Sequence, residues 1–328
     1  SMILAASQIV AGSMSIGDFV LVNTYLIQLF LPLTFLGFVY REIKRSLTDM
    51  EAMFQLTHEE QEIKDSELSK PILIKGGDVT FENVSFHYDS RRPILKNISF
   101  KAKPGEKVAI VGSSGSGKST ISRLLFRFYD VTSGLIKIDG QDIRDVTQNS
   151  LRSVIGIVPQ DTVLFNDTIY YNILYGRPDA LFEDVEKAAK LSRIHEFITN
   201  LPDNYQTKVG ERGLKLSGGE KQRIAIARTI LKKPRILVFD EATSALDSET
   251  ESDILLSLDE VSANHTTLTI AHRLSTIINS DKILVLENGE LVEAGTHNNL
   301  LKLNGRYSGM WQRQRQEQKA LETLRKTQ

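Results

Sequence analysis

Hydrophobic and polar positions divide this chain into two unlike stretches. From Phe19 to Tyr40 the residues are uncharged and mostly apolar (FVLVNTYLIQLFLPLTFLGFVY). A helix over this run would reach roughly 33 Å, enough to cross the hydrocarbon core of a bilayer. Pro32 and Gly37 inside it are better tolerated in membrane helices than in soluble ones. Arg41, Lys44 and Arg45 follow directly, and positive charge beside a span marks its cytoplasmic or matrix side. A signal peptide fits poorly, because the run is long, starts late and lacks a basic leader. Met2–Ala11 is a second apolar stub, ending in the polar turn Gly12–Asp18. It reads as the tail of an earlier span, so the chain is expected to be a fragment of a longer membrane protein. Ile43, Leu47, Met50 and Phe54, spaced by three and four, predict that a helix continues over Arg41–Leu56. Residues 1–56 are thus assigned to a membrane domain, and the charged, polar residues 57–76 to a linker.

Beyond the linker the period changes. Val79–Tyr88 (VTFENVSFHY) alternates as a strand does. Ile98–Ala102, Val108–Val111, Ile136–Ile138 and Ile155–Val158 predict further strands, as do Ile236–Phe239, Thr266–Ile270 and Ile283–Glu287. Ile236–Phe239 is uninterrupted by polar residues and is expected to be central and parallel. Helices are predicted over Thr120–Tyr129, Asp184–Asn200 and Gly218–Lys232. Strands alternating with helices predict an α/β core, interrupted by a helical subdomain at about 161–231. The tail from Arg306 reads as a charged, Gln-rich helix, with residues 313–328 set apart from a main domain over 77–312.

Composition narrows the function classes. The formal net charge is −1, which gives no electrostatic reason to expect nucleic acid as a partner. With no cysteine in the chain, disulfides and thiolate metal sites are excluded. Six histidines are scattered, none at metal-ligand spacing from another.

The chemistry concentrates in three places. Gly112, Ser113, Ser114, Gly115, Ser116, Gly117, Lys118, Ser119 and Thr120 read GSSGSGKST, fitting G-x-x-x-x-G-K-[ST] between a predicted strand and a predicted helix. A triphosphate needs inward-pointing N–H groups and a positive helix end, and this loop can supply both. Lys118 is expected on the β- and γ-phosphates of ATP and the Ser119 hydroxyl on Mg²⁺. Ile236–Glu241 (ILVFDE) is an apolar strand ending in two acids. Asp240 is expected to hold Mg²⁺ through water, and Glu241 to polarise the attacking water as the general base. Leu216–Gln222 reads LSGGEKQ. Ser217 and Glu220 form an S-x-x-E capping box at a helix start. Gly218 and Gly219 leave its first turn unshielded, open to an anion.

At this point the sequence resembles the ABC ATPases, whose signature is LSGGQ; Glu220 replaces the usual Gln. The resemblance implies a P-loop NTPase core with a helical subdomain and an antiparallel β subdomain, preceded by the last transmembrane helix of an exporter. It further implies that Gln160, after Val158–Pro159, is the Q-loop glutamine, touching Mg²⁺ or water. Ser244–Asp247 matches the D-loop, and His272 (IAHRLST) the switch histidine at the γ-phosphate. Tyr88 matches the aromatic residue that stacks on adenine, and Val209–Gly213 a loop that meets coupling helices. In this family two copies face head to tail, so that Ser217 and Gly219 serve the nucleotide held by Lys118 of the partner subunit. The partner is expected to be a second copy or a related half-transporter.

A finer resemblance is carried by Gly37–Phe54, Gly140–Ile169, Val209–Leu231 and Gly305–Gln314. These stretches are similar to half-transporters of the mitochondrial and heavy-metal-tolerance branch. That implies an integral membrane exporter of glutathione-related thiols, metal–thiol conjugates or porphyrins. Its ATPase domain would lie in the cytoplasm at a bacterial inner membrane, or in the matrix at a mitochondrial one. Asn23, Thr24 and Gln28 would face either a cargo cavity or a neighbouring helix. Alternatives are a lipid or multidrug exporter of the same architecture, a DNA-acting ABC ATPase, and a non-catalytic scaffold. About a hundred residues between phosphate loop and signature leave no room for the coiled coil of the second. Intact Lys118, Asp240, Glu241 and His272 speak against the third.

Overall fold

The computed structural model describes residues 2–58, 62–213, 215–240, 254, 258–271 and 273–326, without the side chains of 58, 212, 275 and 317–326. Glu241, the D-loop residues Ser244–Asp247 and His272 lie outside the described residues. The chain divides into two compact units, Ser1–Glu62 and Ile63–Gln328.

The first unit is helical. After α1 (Met2–Val10), α2 runs unbroken from Ile16 to His58, through Pro32. Its start is fixed by Ser15 and Asp18: the Asp18 carboxylate accepts from Ser15 N–H at 3.0 Å, and Ser15 Oγ accepts from Asp18 N–H at 3.1 Å. Reciprocal bonding of this kind satisfies two of the donors a helix start leaves open. The expected span and the amphipathic segment after it are therefore one helix. Among the described residues it is the one long and apolar enough to cross a membrane. Thr24 Oγ1 donates to Val20 O at 2.9 Å, so its hydroxyl is satisfied within its own helix.

The second unit is built on two sheets. β1 (Val79–Asp89) and β2 (Arg92–Ala102) pair antiparallel, with β4 (Ser133–Ile138) on the other side of β1 and β5 (Gln141–Asp142) at its edge. Strand β1 aims Val79 and Phe81, and beyond a register shift Val84 and Phe86, into the core. Phe81 stacks on Phe100 at 4.5 Å. Residues 63–76, expected as linker, are docked on this unit: Asp139 accepts from the backbone N–H groups of Lys75, Gly76, Gly77 and Asp78 at 2.7–3.1 Å.

The larger sheet has the order β10-β9-β3-β8-β7-β6. Here β3 is Lys107–Gly112, β6 Ile155–Val158, β7 Ile236–Asp240, β8 Thr266–Ile270, β9 Lys282–Glu287 and β10 Glu290–Gly295. All pairs but β9–β10 are parallel. The apolar run of β7 is parallel and flanked on both sides, one place in from the edge strand β6. Side chains of β3 and β7–β9 alternate between clusters on the two faces, Val108 and Ile110 on one and Ala109 and Val111 on the other.

Helix α4 (Gln148–Val154) leads into β6, and between β6 and β7 the chain is helical: α5 (Ile169–Leu174), α6 (Phe182–Leu191), α7 (His195–Thr199) and α8 (Gly218–Lys232). They enclose their own core around Ile169, Val185, Ile198 and Ile224. The single helix expected over Asp184–Asn200 is two, because Arg193 takes a left-handed φ of 56° between them. The helix expected over Thr120–Tyr129 is α3, Lys118–Leu125. It starts two residues earlier, inside the glycine loop, and gives way to Arg127 at φ 51°. The tail is a helix over Arg306–Lys326, seated by the buried Tyr307.

Candidate nucleotide site

A parallel sheet places its loops at the carboxyl ends of its strands, and ligands bind there where the connections diverge. Strand β3 lies between β8 and β9, although the chain visits β6 and β7 before either. The residue pairs Gly112↔Leu286, Asp240↔Ile270 and Val158↔Phe239 align the ends of β3, β9, β7, β8 and β6 along one rim. The phosphate loop leaves this rim from β3, Gln160 follows β6, and Asp240 closes β7.

The loop's shape depends on glycine at two positions. A Cβ on Gly112 would sit 2.2 Å from Leu286 O and 2.7 Å from Ser116 Oγ. Gly117, the residue before α3, takes φ 102°, and a Cβ there would lie 2.5 Å from Leu95 Cδ2. The chain therefore folds back on itself and enters α3 with the helix's first N–H groups presented to the loop; a helix has no internal acceptors for these. Lys118 is 5% exposed, and its ammonium donates to the carbonyls of Gly112 and Ser113 at 3.0 Å each. That curls the cation over the cradle it belongs to. Ser116 Oγ is buried without a hydrogen-bond partner, 2% exposed. An orphaned polar atom in such a loop is what a site shaped for an oxyanion contains. Ser119 is exposed at the start of α3, and Thr120 is buried.

Tyr88 comes from the other sheet and reaches α3. Its hydroxyl lies 3.5 Å from Thr120 Oγ1 and accepts from Arg123 Nη1 at 3.2 Å. That bond raises the guanidinium's pKa further above its ordinary value. Phe86 and Tyr129 meet the ring nearly at right angles, with centroids at 4.8 and 5.0 Å. The ring is thus held in position yet 46% exposed. Arg123 and Tyr129 are absent from the sequence-based set; Arg123, three residues after Thr120, sits about one helical turn along α3, and its spacing was the only signal for it.

The second half of the candidate site is at α8. Ser217 Oγ accepts from Glu220 N–H at 3.3 Å, and Glu220 Oε2 accepts from Ser217 N–H at 2.7 Å: the capping box is closed. Ser217 and Gly218 are exposed, and Gly219 is buried. Among the described hydrogen bonds none joins Ser217–Glu220 to Gly112–Thr120. Val209–Gly213 forms a short turn of 3₁₀ helix at its end, Glu211–Gly213.

A parallel sheet feeding a phosphate loop, an acid at the end of the next strand but one and a capped double-glycine helix define an ABC-type ATPase domain. Residues 95–244 match the family described as "ABC transporter", and to that family this domain belongs. The similarity extends beyond it. "ATP-binding cassette sub-family B member 6" of Xenopus tropicalis is 57% identical over 312 residues, covering 95% of this chain and 37% of that protein. "ATM1-type heavy metal exporter" of Novosphingobium aromaticivorans is 58% identical over 306 residues, covering 93% and 50%. The solved "Structure of a bacterial Atm1-family ABC exporter with ATP bound" superposes with a TM-score of 0.80 at 56% identity, over 95% of this chain and 55% of that one. The chain thus spans about half or less of the proteins it matches.

Proposed function

We propose that this chain is the ATP-hydrolysing part of an ABC exporter half-transporter, working head to tail with a second copy or a related half-transporter. The observation that carries the reading is the pairing of a complete phosphate loop at β3 with an exposed, capped glycine turn at α8. Among the described hydrogen bonds none joins the two within one chain, as expected if each serves a different nucleotide. Backbone N–H groups of Gly115–Ser119 and the Lys118 ammonium bind the β- and γ-phosphates. Tyr88 stacks on the base. Ser217 and Gly219 present N–H and O–H donors to the γ-phosphate held by the partner subunit's Lys118. Glu241 draws the proton from the attacking water, and His272 and Gln160 orient that water and the phosphate. The donor set of Ser119, Asp240 and Gln160 is all oxygen, which suits Mg²⁺. When bound there, the ion neutralises charge on the phosphate oxygens.

The apolar run of α2 supports reading the attached unit as an integral membrane element, and Arg41, Lys44 and Arg45 after it support an ATPase domain in the cytoplasm or the matrix. The relatives named for heavy metals, with "Heavy metal tolerance factor 1" of Caenorhabditis elegans and "Iron-sulfur clusters transporter atm1, mitochondrial" of Aspergillus fumigatus, favour a cargo of metal–thiol or glutathione-related chemistry, or porphyrins, over lipids or drugs. Stimulation of ATPase activity by glutathione species, and not by lipids, is the expected result. The mechanism is tested by Glu241→Gln. ATP binding should persist while turnover falls by about 10²-fold or more, the scale of general-base assistance. Near-normal hydrolysis would show that Glu241 is not the base.

A further inference from the structure

Strand β6 is the edge of the six-stranded sheet, and α8 packs along its backbone. Carbonyls two residues apart on a strand point to the same side. Those of Ile155, Ile157 and Pro159 each accept from a side chain of α8. Lys232 Nζ donates to Ile155 O at 2.8 Å, Thr229 Oγ1 to Ile157 O at 2.9 Å, and Gln222 Nε2 to Pro159 O at 3.1 Å. Helix and strand run in opposite senses, so the start of α8 lies at the end of β6.

The third of these bonds differs from the other two. Gln222 is 4% exposed, and its Oε1 also accepts from Thr162 Oγ1 at 2.7 Å. A carbonyl can only accept, so Pro159 O fixes which end of the amide faces it. One side chain thereby closes both ends of the segment Pro159–Thr162, which carries Gln160. The other two side chains hold the strand; Gln222 holds only the loop. It stands four residues after Gly218, roughly 6 Å along the helix, too short a stretch of α-helix to flex.

We propose that Gln222 is a positioning residue for Gln160. It fastens the loop that serves this chain's own nucleotide to the helix end that serves the partner's, so both move as one body. This rests on the roles given above to Gln160 and Ser217.

The test uses the purified protein in detergent, with steady-state ATP hydrolysis and amide hydrogen exchange as separate readouts. Gln222→Leu removes both bonds, Thr162→Val removes one, and Thr162→Ser keeps the donor. Gln222→Leu should lower kcat about tenfold with KM within about twofold, since small misplacements near a reacting group cost up to 10²-fold. Thr162→Val should lie between it and the parent, and Thr162→Ser should recover the parent's rate. Exchange at residues 160–163 should quicken in Gln222→Leu and not in Thr229→Val, which loses bonds to the strand and to Ala225 of its own helix but none to the loop. Should Gln222→Leu fail to fold, the Thr162 pair carries the test. The double variant Gln160→Ala/Gln222→Leu should be no slower than Gln160→Ala. A multiplicative loss in the double variant, or equal losses in Thr162→Val and Thr162→Ser, overturns the inference. If Gln160→Ala alone leaves turnover intact, the reading of that loop fails first and this inference falls with it.

Discussion

Replacing Tyr88 separates base recognition from phosphate chemistry. Its ring is fixed by perpendicular contacts to Phe86 and Tyr129, and its hydroxyl by Arg123. A nucleobase stacked on the exposed part would find the ring already ordered, with little entropy left to lose. Stacking of one base on an aromatic side chain is worth about 1–3 kcal/mol by alanine substitution. At about 1.4 kcal/mol per decade, Tyr88→Ala should therefore raise the Kd for ATP about 5- to 150-fold. Tyr88→Phe keeps the ring and loses only partly exposed hydrogen bonds, about 0.5 kcal/mol or a two- to threefold change. Because the base is remote from the transferred phosphoryl group, kcat at saturating ATP should hold while KM rises, the pattern of uniform binding. Stacking is tolerant of base identity, so the ratio of ATP to GTP affinity should barely move. Calorimetric titration without Mg²⁺ reads Kd without turnover. A thermal melt guards against loss of the aromatic cluster, whose pairs contribute about 0.5–1.5 kcal/mol each. Binding by a folded Tyr88→Ala within about twofold of the parent would refute the reasoning, as would an equal loss in Tyr88→Phe.

Three further perturbations probe the frame of the site. Gly117→Ala puts a Cβ 2.5 Å from Leu95 Cδ2 at φ 102°; it should cost about 1–3 kcal/mol, lower the melting temperature and weaken ATP binding, and an unchanged melt would contradict the geometry. Burial pushes the Asp139 carboxyl up, but N–H donors from Gly77, Lys75, Asp78 and Gly76 outweigh it and hold its pKa below the ordinary value. A depressed folded pKa stabilises above the unfolded value and is lost as pH falls through the folded one. Asp139→Asn should thus be less stable than the parent by about 1–3 kcal/mol at neutral pH, with the gap in urea midpoints closing in acid, below the ordinary carboxylate pKa; a gap independent of pH would count against the carboxylate's role. Glu220→Gln should alter turnover by less than about threefold, because either residue can close the capping box; a tenfold change would mean the charge itself acts on the nucleotide.

Much of the site was legible because its motifs are local. Gly112–Thr120 is a contiguous loop between elements whose periods differ, and Ser217–Glu220 is a cap whose two bonds span three residues. Both need only neighbours in sequence. Helix ends were less legible, because α3 begins inside the glycine loop at Lys118, where the pattern shows no apolar period. Arg193, in a left-handed turn, splits a segment whose apolar spacing reads as one helix. The linker could not be read as docked, because the groups that hold it are distant in sequence: Asp139 for residues 75–78, and Arg127 and Gln148 for Asp65. Gln222 stood inside a recognised motif, yet its partners Pro159 and Thr162 lie some sixty residues away. No local pattern encodes that pairing.

The edge of a sheet is a row of unpaired carbonyls and N–H groups, and proteins must cover it or blunt it. Here three side chains of α8 do so for β6, where another strand would be the common solution. A seventh strand would have bonded only to β6 and left the loop beyond it unconstrained. Side chains from a helix reach past the strand's end, so the cover extends from Ile155 to Pro159 and on to Thr162. The same helix starts with the double-glycine turn. An answer to a packing problem therefore joins, through a few buried bonds, the two surfaces of this domain proposed above to serve different nucleotides. The five junctions between neighbouring strands of the sheet need no such device, because each of those strand edges is already paired.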